Sequence, residues 1–388
     1  MKRPVLVTLF LLFSCASASA QLTKITVGYG SISAAQLPVW IGKEAGIFSK
    51  NGLDVQLVFF KGSTTAVMAL ISKETPISQV TGPPIVNAVL RGSDAVFVAG
   101  GAVIIDYWLM SRPEIKSAEQ LKGGSIAVST FGGQSEFVSR IALKKLGLTP
   151  GKDVTMVQIG VPSDRLIATE TGKVRAALLN SPDSFIGEKK GLYTQAYVSL
   201  PSQSTGVATT RRFIRENPDM VRKYVRSQIE AVHRIKIDRE LAERVLVKYL
   251  GPQDKQILEK TYDDISSDQK LPPKQYPTIE GLKTIIEPLA DTDPKAKTAK
   301  PEDFVDMSFI RELEQSGYID NLYKKRRSAI PLIADCRSLL LACRWVCTVS
   351  LSDARHRLKL VTARVVAHVT LESFVAHKNH QLFSHGPF

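Results

Sequence analysis

The body of the chain, residues 21–327, lacks cysteine altogether and has a single histidine, His233. Structural zinc sites and disulfide frameworks need several such side chains close together, so neither is expected to organise this part of the protein. No other side chain there would act as a base at neutral pH without a perturbed pKa. These scarcities disfavour metal sites and histidine-dependent acid–base catalysis.

The cysteines and histidines that the body lacks are concentrated near the C-terminus. Residues 328–388 hold three of the four cysteines (Cys336, Cys343 and Cys347) and five of the six histidines. The Cys343-x-x-x-Cys347 spacing resembles part of a zinc site, but the intervals between cysteines and histidines fit no compact finger. Three interpretations stay open: a metal module, an accessory or unstructured tail, and translation past a frameshift or lost stop. The functional interpretation therefore rests on residues 21–327.

Long apolar runs are also absent, except at the N-terminus. Two basic residues at 2–3 precede an apolar run at 4–13, and Ala18-Ser19-Ala20 ends the segment with small residues. This layout is typical of a secretory signal peptide, and the run is too short for a permanent membrane span. We expect residues 1–20 to be removed and the protein to be periplasmic. The alternative is a lipoprotein anchored at Cys15.

The distribution of charge does not indicate a nucleic-acid-binding protein. The chain has a net charge of +14, of which the tail contributes +4 and the N-terminal segment +2, which leaves +8 for residues 21–327. Its basic residues are scattered apart from Lys324-Lys325-Arg326-Arg327, and they do not alternate with aromatic residues as on base-stacking surfaces. We expect no nucleic-acid partner. A mildly basic exported protein is suited to attracting small anions.

Strand and helix patterns alternate along the body. The predicted strands include residues 24–30, 53–60 and 95–101. Between them, residues 37–52 predict one helix closed by Gly52, and residues 63–74 predict another with Ser63 or Thr64 as its N-cap. Such alternation favours sheets that are mostly parallel.

One unit of this pattern occurs twice. The segments that begin at Asp54 and at Asp153 both run from a strand through a polar turn into a helix. Both then read Leu-Ile-x-x-Glu-Thr, at residues 70–75 and 166–171. Two lobes built from one repeated unit are the economical explanation.

The loops that follow the strands are rich in serine, threonine, glycine and asparagine. They are residues 30–33, 61–65, 81–84, 129–135, 160–164 and 180–184. In open sheets of this kind, ligands bind where strands end and helix N-termini offer unpaired N–H groups. These neutral donors suit a carboxylate, sulfonate, nitrate or phosphate. The loop at 129–135 lacks the Gly-Lys-Ser/Thr ending of a phosphate-binding loop, which argues against a nucleotide-hydrolysing enzyme.

Several segments together resemble a known family. They read "PVWIGKEAGIFSKNGLDVQLV", "TGPPIVNAV", "LKGGSIAVSTFGGQSEFVSRIALKKLGLTPGKDVTMVQIG" and "ENPDMVRKYVRSQIEAV". In combination they resemble the periplasmic substrate-binding proteins of ABC importers, in particular the nitrate/sulfonate/taurine branch, and also the binders of thiamine-pyrimidine precursors. The likeness runs from about Lys24 to about Lys325, where such proteins usually end.

The resemblance implies a fold class and a domain plan. The fold would be the type II-like periplasmic binding protein fold, an α/β architecture with two lobes, each a mostly parallel sheet flanked by helices, and a ligand cleft between them. Lobe 1 would comprise residues 21–106 and 204–327, and lobe 2 residues 107–203. Residues 1–20 would be the signal peptide and residues 328–388 an atypical tail.

The resemblance also implies a function and a set of site residues. The protein would be an extracytoplasmic receptor that captures a small anionic or polar organic molecule and delivers it to the permease and ATPase of an ABC importer. It would be a monomer, without enzyme activity, cofactor or metal. The expected ligand contacts are Ser31, Ser33, Ser63, Thr64, Gly82, Pro83, Tyr107, Trp108, Thr130, Gly132, Gly133, Gln134, Ser135, Asn180 and Ser181. Thr130 or Ser135 could also cap the following helix, and Arg140 and Arg165 each fall about one turn into a helix, where they could lie near the cleft.

An enzyme on the same fold is the alternative. A related branch makes a pyrimidine precursor with pyridoxal phosphate, using a lysine and a histidine in the cleft. Here the candidates reduce to Lys61, the only lysine in those loops, and His233, which lies off the apolar stripe of its helix. The receptor interpretation therefore takes precedence.

Overall fold

The computed structural model describes residues 21–291 and 293–328. The chain divides into two compact units between Arg326 and Arg327. The predicted signal segment with Cys15, and the tail with its cysteines and histidines, lie outside the described residues. Within the described ranges, no helix combines the length and the hydropathy that a membrane span requires.

Ten strands in the described part of the chain form two five-stranded sheets. They are β1 Thr23–Tyr29, β2 Leu53–Phe59, β3 Ile77–Val80, β4 Ala95–Gly100, β5 Ile104–Ser111, β6 Ser125–Val128, β7 Thr155–Gln158, β8 Ala176–Leu179, β9 Tyr193–Pro201 and β10 Gly206–Thr210. The first sheet has the order β2-β1-β3-β10-β4 and the second the order β7-β6-β8-β5-β9.

Fourteen α-helices of the described residues connect and flank these strands. They are α1 Leu37–Glu44, α2 Ile47–Lys50, α3 Ser63–Ile71, α4 Gly82–Leu90, α5 Gln134–Lys145, α6 Pro162–Glu170, α7 Asp183–Lys189, α8 Arg211–Glu216, α9 Pro218–Ile237, α10 Arg239–Leu250, α11 Lys255–Ser266, α12 Ile279–Ile286, α13 Ser308–Gln315 and α14 Tyr318–Ser328. Short 3₁₀ turns lie at Ala34–Gln36, Glu119–Leu121, Glu287–Asp291 and Pro301–Phe304.

The two sheets share one plan. In each, three strands pair in parallel, β2-β1-β3 in one sheet and β7-β6-β8 in the other. The fourth strand, β10 or β5, runs antiparallel to both of its neighbours. The predicted two-lobed α/β fold is confirmed, with sheets that are mixed. The repeat seen in the sequence corresponds to β2-α3-β3 and β7-α6-β8.

Two short segments connect the sheets. The chain leaves the first sheet after β4 and enters the second at β5, so residues 101–103 form the outward crossing; residues 202–205 form the return. The crossings lie side by side, because Ser202 N donates to Val103 O at 2.9 Å and Thr205 N donates to Ala102 O at 3.0 Å. Two adjacent single-chain connections therefore join the sheets.

Aromatic stacking holds the helices of the first sheet. Trp40 of α1 is fully buried and stacks on Tyr249 of α10, with ring centroids 4.6 Å apart. Phe48 of α2 stacks on Tyr224 of α9 at 5.1 Å. Such pairs contribute about 1 kcal/mol each beyond the apolar area that they bury. Trp40 therefore belongs to the core.

Local predictions were wrong at two kinds of position. The single helix expected over residues 37–52 is split into α1 and α2, because Gly46 adopts the left-handed conformation with φ +66°. The expected side-chain caps are also absent, since Gly62 and Gly133 precede α3 and α5. Ser63 and Ser135 lie within the helices, where their hydroxyls bond neighbouring loops instead.

Candidate functional site

A partly enclosed cavity lies where the parallel strands of both sheets end. Its free volume is about 60 Å³, room for several waters or a small head group. The loops after β1, β2 and β3 form one wall, and the loops after β6, β7 and β8 form the other. The repeated unit therefore contributes equivalent loops to opposite walls.

The wall formed by the first sheet presents buried polar groups with unused hydrogen-bonding capacity. Gln36 is fully buried, and neither its Oε1 nor its Nε2 has a hydrogen-bond partner among the described residues. The buried hydroxyl of Thr81 also has no hydrogen-bond partner among the described residues. An unpaired buried polar group costs about 1–3 kcal/mol. A ligand or water in the cavity would offset that cost.

The wall formed by the second sheet has the same character. Asn180 Oδ1 and Ser181 Oγ, at the end of β8, also have no partner within the described residues. By contrast, Ser135 Oγ accepts from Ser129 N at 2.7 Å and so fixes the glycine-rich loop against α5. The unpartnered groups face each other across one cavity, which is the arrangement that a polar ligand would satisfy.

Arg165 of α6 supplies a buried positive charge. Its guanidinium donates to Leu178 O at 2.8 Å through Nε and to Gly160 O at 2.5 Å through Nη1. Only 2% of the residue is exposed, and no carboxylate of the described chain lies within ion-pair distance. Burial lowers the pKa of Arg165, but an arginine keeps its charge in proteins. A buried cation that is held only by carbonyls favours an anion beside it.

Asp183, the first residue of α7, contributes a second buried charge near this arginine. Burial raises its pKa to about 6, although the charge of Arg165 acts in the opposite direction. In the unfolded chain its pKa would be about 3.9. The folded protein therefore holds this proton more tightly than the unfolded chain does.

We expect this carboxyl to make the protein less stable as the pH rises. Its contribution to the free energy of unfolding is complete below about pH 4 and is lost as the pH rises through about 6, a change of about 3 kcal/mol. Urea unfolding at pH 4.5 and pH 7 would measure the larger part of this change, about 2 kcal/mol. Asp183→Asn should remove most of that difference; an equal pH dependence in the variant would contradict the prediction.

A charged cluster borders the cavity beside the two crossings. Lys270 Nζ lies 2.8 Å from Asp106 Oδ2 on β5 and 2.6 Å from Asp264 Oδ1 on α11. Asp106 Oδ1 also accepts from Tyr197 OH at 2.6 Å. Burial would raise the pKa of Asp106, but Lys270 holds it below its usual value. Burial and the neighbouring Asp106 raise the pKa of Asp264. The cluster ties the second sheet to the helices of the first.

Eight of the residues predicted as ligand contacts line the cavity. They are Ser31, Ser33, Ser63, Tyr107, Gln134, Ser135, Asn180 and Ser181. Gln134 also contacts the return crossing, because its Nε2 donates to Ser204 Oγ at 3.2 Å. Burial raises the pKa of Tyr107, which stays a neutral phenol at the cavity.

The other predicted contacts lie around the cavity. A rim outside the lining comprises Thr64, Thr130, Gly132 and Gly133. Thr64 Oγ1 donates to Phe131 O at 3.1 Å, and Asn87 Nδ2 donates to Gly132 O at 3.4 Å. These bonds join the glycine-rich loop of the second sheet to α3 and α4 of the first. Gly133 precedes α5 without lining the cavity.

Gly82 and Pro83 support the cavity from behind. Gly82 N donates to Gln203 O at 2.8 Å, and a Cβ at this position would lie 2.3 Å from Ile285 Cδ1. Trp108 faces a separate outer groove. The centroid of its ring lies 4.7 Å from that of the Tyr197 ring and 5.8 Å from that of the Phe185 ring. Its neighbour Tyr107 points the other way because successive strand residues alternate between faces.

Sequence reasoning missed the charged cluster and Gln36. Asp106 entered only as part of a lobe boundary, and Lys270 lies in a loop after α11 with no motif around it. Of the two arginines considered, Arg165 lines the cavity, whereas Arg140 pairs with Glu136 at 2.5 Å and is half exposed. Lys61 and His233 do not line the cavity; the ring of His233 lies 4.8 Å from Tyr323.

Known proteins of similar fold bind small solutes. The alkanesulfonate-binding protein SsuA from Xanthomonas axonopodis pv. citri, bound to MOPS, is 15% identical with a TM-score of 0.58, over 74% of this chain and 99% of that one. The periplasmic nitrate-binding protein NrtA from Synechocystis PCC 6803 is 14% identical with a TM-score of 0.58, over 76% and 89%. At these identities, the similarity establishes the periplasmic binding protein fold.

Sequence comparison supplies the family. YtlA of Bacillus subtilis (strain 168) is 25% identical over 246 residues, which cover 58% of this chain and 70% of YtlA. The model of the NMT1-like family matches residues 18–250, more than half of the chain. The resemblance predicted from the sequence is confirmed, and the chain belongs to the NMT1-like family.

Proposed function

We propose that the protein is an extracytoplasmic solute receptor that captures a small anionic or polar organic molecule and delivers it to an ABC importer. One observation carries the proposal: Arg165 brings a buried positive charge without a carboxylate partner in the described chain to a cavity whose walls hold further unpaired polar atoms. The structural relatives that bind alkanesulfonate and nitrate support it.

The ligand would sit with its acidic head at Arg165. Asn180 and Ser181 follow β8, the strand whose Leu178 carbonyl holds the guanidinium. Gln36 and Thr81 would complete the contacts from the opposite wall, together with the other predicted residues that line the cavity. Each bond to a charged group contributes about 1.5–3 kcal/mol, so a few of them suffice for micromolar affinity.

Capture would involve closure about the two crossings. The bond from Thr64 Oγ1 to Phe131 O would exist only while the walls are together, because the two residues belong to opposite walls. A ligand that contacts both walls favours that closed form by its differential contacts. We propose that the permease and ATPase of the importer respond to this form.

We propose that each of the two sheets, with its flanking helices, forms one lobe. The first crossing would then be residues 101–103, three residues before the boundary expected from the sequence, and the return residues 202–205. A single chain supplies both walls, which supports a monomeric receptor. The predicted signal segment supports a periplasmic location, with an anchored lipoprotein as the alternative.

The pyridoxal-phosphate enzyme finds less support. Its chemistry needs a lysine that can attack an aldehyde, and it also needs a histidine close to that lysine. The lysine that lines the cavity, Lys270, is bound by two carboxylates. His233, the one histidine of the described chain, lies on α9 away from the cavity lining.

Calorimetric titration of the purified full chain tests the proposal. The panel comprises taurine, ethanesulfonate, nitrate, propionate, β-alanine, a pyrimidine and pyridoxal phosphate. Fluorescence provides a second readout, because Trp108 borders the outer groove that spans both sheets. Saturable binding of a small acid with a change in fluorescence is expected. Binding of pyridoxal phosphate alone, with a Schiff-base absorbance, would replace the receptor with the enzyme.

A further inference from the structure

Asp183 is a buried carboxyl that the proposed ligand contacts do not use. Only 6% of the residue is exposed, and it is not among the residues that line the cavity. In the described chain, the ion pairs of α6 and α7 involve other residues. A buried carboxylate without a paired cation is costly. Its neutral form is therefore accessible at a pH where an exposed aspartate would be fully ionised.

The start of α7 brings Asp183 close to Arg165. Leu178 O on β8 accepts from Arg165 Nε at 2.8 Å, and the chain turns from the end of β8 directly into α7. The turn is tight, because Ser184 N donates to Asn180 O at 3.1 Å. The helices α6 and α7 also pack against each other. The guanidinium and the carboxyl consequently act on each other's charge.

The other charged and titratable groups around Asp183 do not replace Arg165 as its cation. Asp164 on α6 opposes the ionisation of Asp183, and it is exposed. The strand β5, which packs on α7, carries the neutral phenol of Tyr107 and the carboxylate of Asp106. From α11, the ammonium group of Lys260 lies over an aromatic ring of α7. The remaining charges of α7 are at its far end.

The charges at the cavity do not balance when Asp183 is ionised. Three carboxylates then accompany two cations; they are Asp106, Asp183 and Asp264 with Arg165 and Lys270. An anionic ligand at Arg165 would add a further negative charge and would occupy the cation that favours the ionised form of Asp183. Two anions that compete for one cation disfavour each other's charge. A proton on Asp183 removes that conflict.

We propose that capture of an anion at Arg165 is coupled to the uptake of a proton by Asp183. The proton comes from the solvent and forms an O–H bond on a carboxylate oxygen. This inference rests on the proposed receptor function and adds a proton as a second ligand of the same site.

The coupling fixes the sign of the pH dependence. Without the anion, Asp183 has a pKa of about 6, and the bound anion raises this pKa further. At a pH below 6, the proton is already in place and the anion binds with full affinity. Above that pH, binding has to draw the proton from solvent, so the affinity falls. Each unit by which the anion raises the pKa makes about a tenfold difference between the two limits.

Calorimetric titration of the purified full chain with ethanesulfonate and with nitrate provides the test. Both anions keep their charge between pH 5.5 and pH 8, and amine buffers avoid a competing acid. At least one of them should bind about fivefold or more tightly at pH 5.5 than at pH 8. At pH 7, imidazole and Tris differ in their enthalpy of ionisation. The two buffers should therefore report the uptake of about 0.4 or more protons per ligand.

Two substitutions locate the proton. Asp183→Asn keeps a neutral side chain at every pH, so the affinity should be the same at pH 5.5 and pH 8 and no proton should be taken up. Asp183→Ser repeats the comparison if the amide variant does not fold. Asp164→Asn is the matched control, because this carboxylate adjoins Arg165 in the sequence but is exposed. It should retain the pH dependence and most of the uptake.

The outcomes separate the coupling from the receptor function. If the wild type binds an anion equally at both pH values without proton uptake, the coupling is wrong and the receptor stands. If the pH dependence persists in Asp183→Asn, another group such as Asp264 takes up the proton, and the assignment to Asp183 is wrong. If neither anion binds, the coupling is wrong, and the other members of the panel decide the receptor proposal.

Discussion

Arg165→Met is expected to weaken ligand binding by about a hundredfold. The substitution removes a buried charge that would contact the acidic head of the ligand, and losing one partner of such a pair costs about 2–5 kcal/mol. Every 1.4 kcal/mol is tenfold in affinity. Titration of the wild type and the variant with the best ligand of the panel measures the effect.

Arg140→Met is the matched control for that loss. Both arginines lie in a helix that follows a strand of the second sheet, and the sequence alone treats them alike. Arg165 is the fourth residue of α6 and Arg140 the seventh of α5. Arg140 is 54% exposed and pairs with Glu136, so its removal should leave affinity within about twofold, as surface ion pairs contribute little. Similar losses in both variants, with both proteins folded, would contradict the placement of the anionic head at Arg165.

Lys270→Met is expected to destabilise the protein by about 3 kcal/mol. The variant leaves Asp106 and Asp264 next to each other without their shared cation, and breaking a buried ion pair by removing one partner typically costs 3–5 kcal/mol. The side chains of Lys270 and Asp106 are only 10% and 12% exposed, so water compensates little. Urea unfolding at neutral pH gives the free-energy difference.

Two further variants identify the cause of that destabilisation. Lys260→Met removes an exposed lysine whose Nζ lies 3.2 Å from Glu188 Oε2 on α7, a helix beside the second sheet. This substitution should lower the free energy of unfolding by less than about 1 kcal/mol. Adding Asp264→Asn to Lys270→Met should recover part of the stability, since one unpaired carboxylate remains instead of two. Equal losses for the two lysine variants would show that burial of the cluster contributes nothing.

The repeated sequence unit allowed much of the fold to be predicted. The two segments ending in Leu-Ile-x-x-Glu-Thr predicted equivalent strand–helix units, and these units line opposite walls of the cavity. The alternation of apolar and polar residues that predicts these strands and helices is present in both segments. The antiparallel fourth strands were not foreseen, because β10 reaches its place only by returning from the second sheet, and no local pattern encodes that return.

The cavity was predicted less completely than the fold. Loops after strands identified Ser31, Asn180 and Ser181 because these residues follow directly from strand ends. Lys270 and Asp264 escaped notice, since they reach the cavity through the packing of α11 and its following loop, far along the chain. Contacts of that kind depend on tertiary structure and leave no periodic signal in the sequence.

The late arrival of β10 has a consequence for the order of folding. The second sheet is continuous in the sequence, from Ile104 to Pro201, whereas the first lacks its fourth strand until Gly206–Thr210 is available. Closing contacts between distant parts of a chain costs loop entropy and time. We therefore expect the inserted lobe to fold first and to act as the template that brings β4 and β10 together. Pulse-labelling hydrogen exchange would then show protected amides in β5–β9 before β3, β4 and β10.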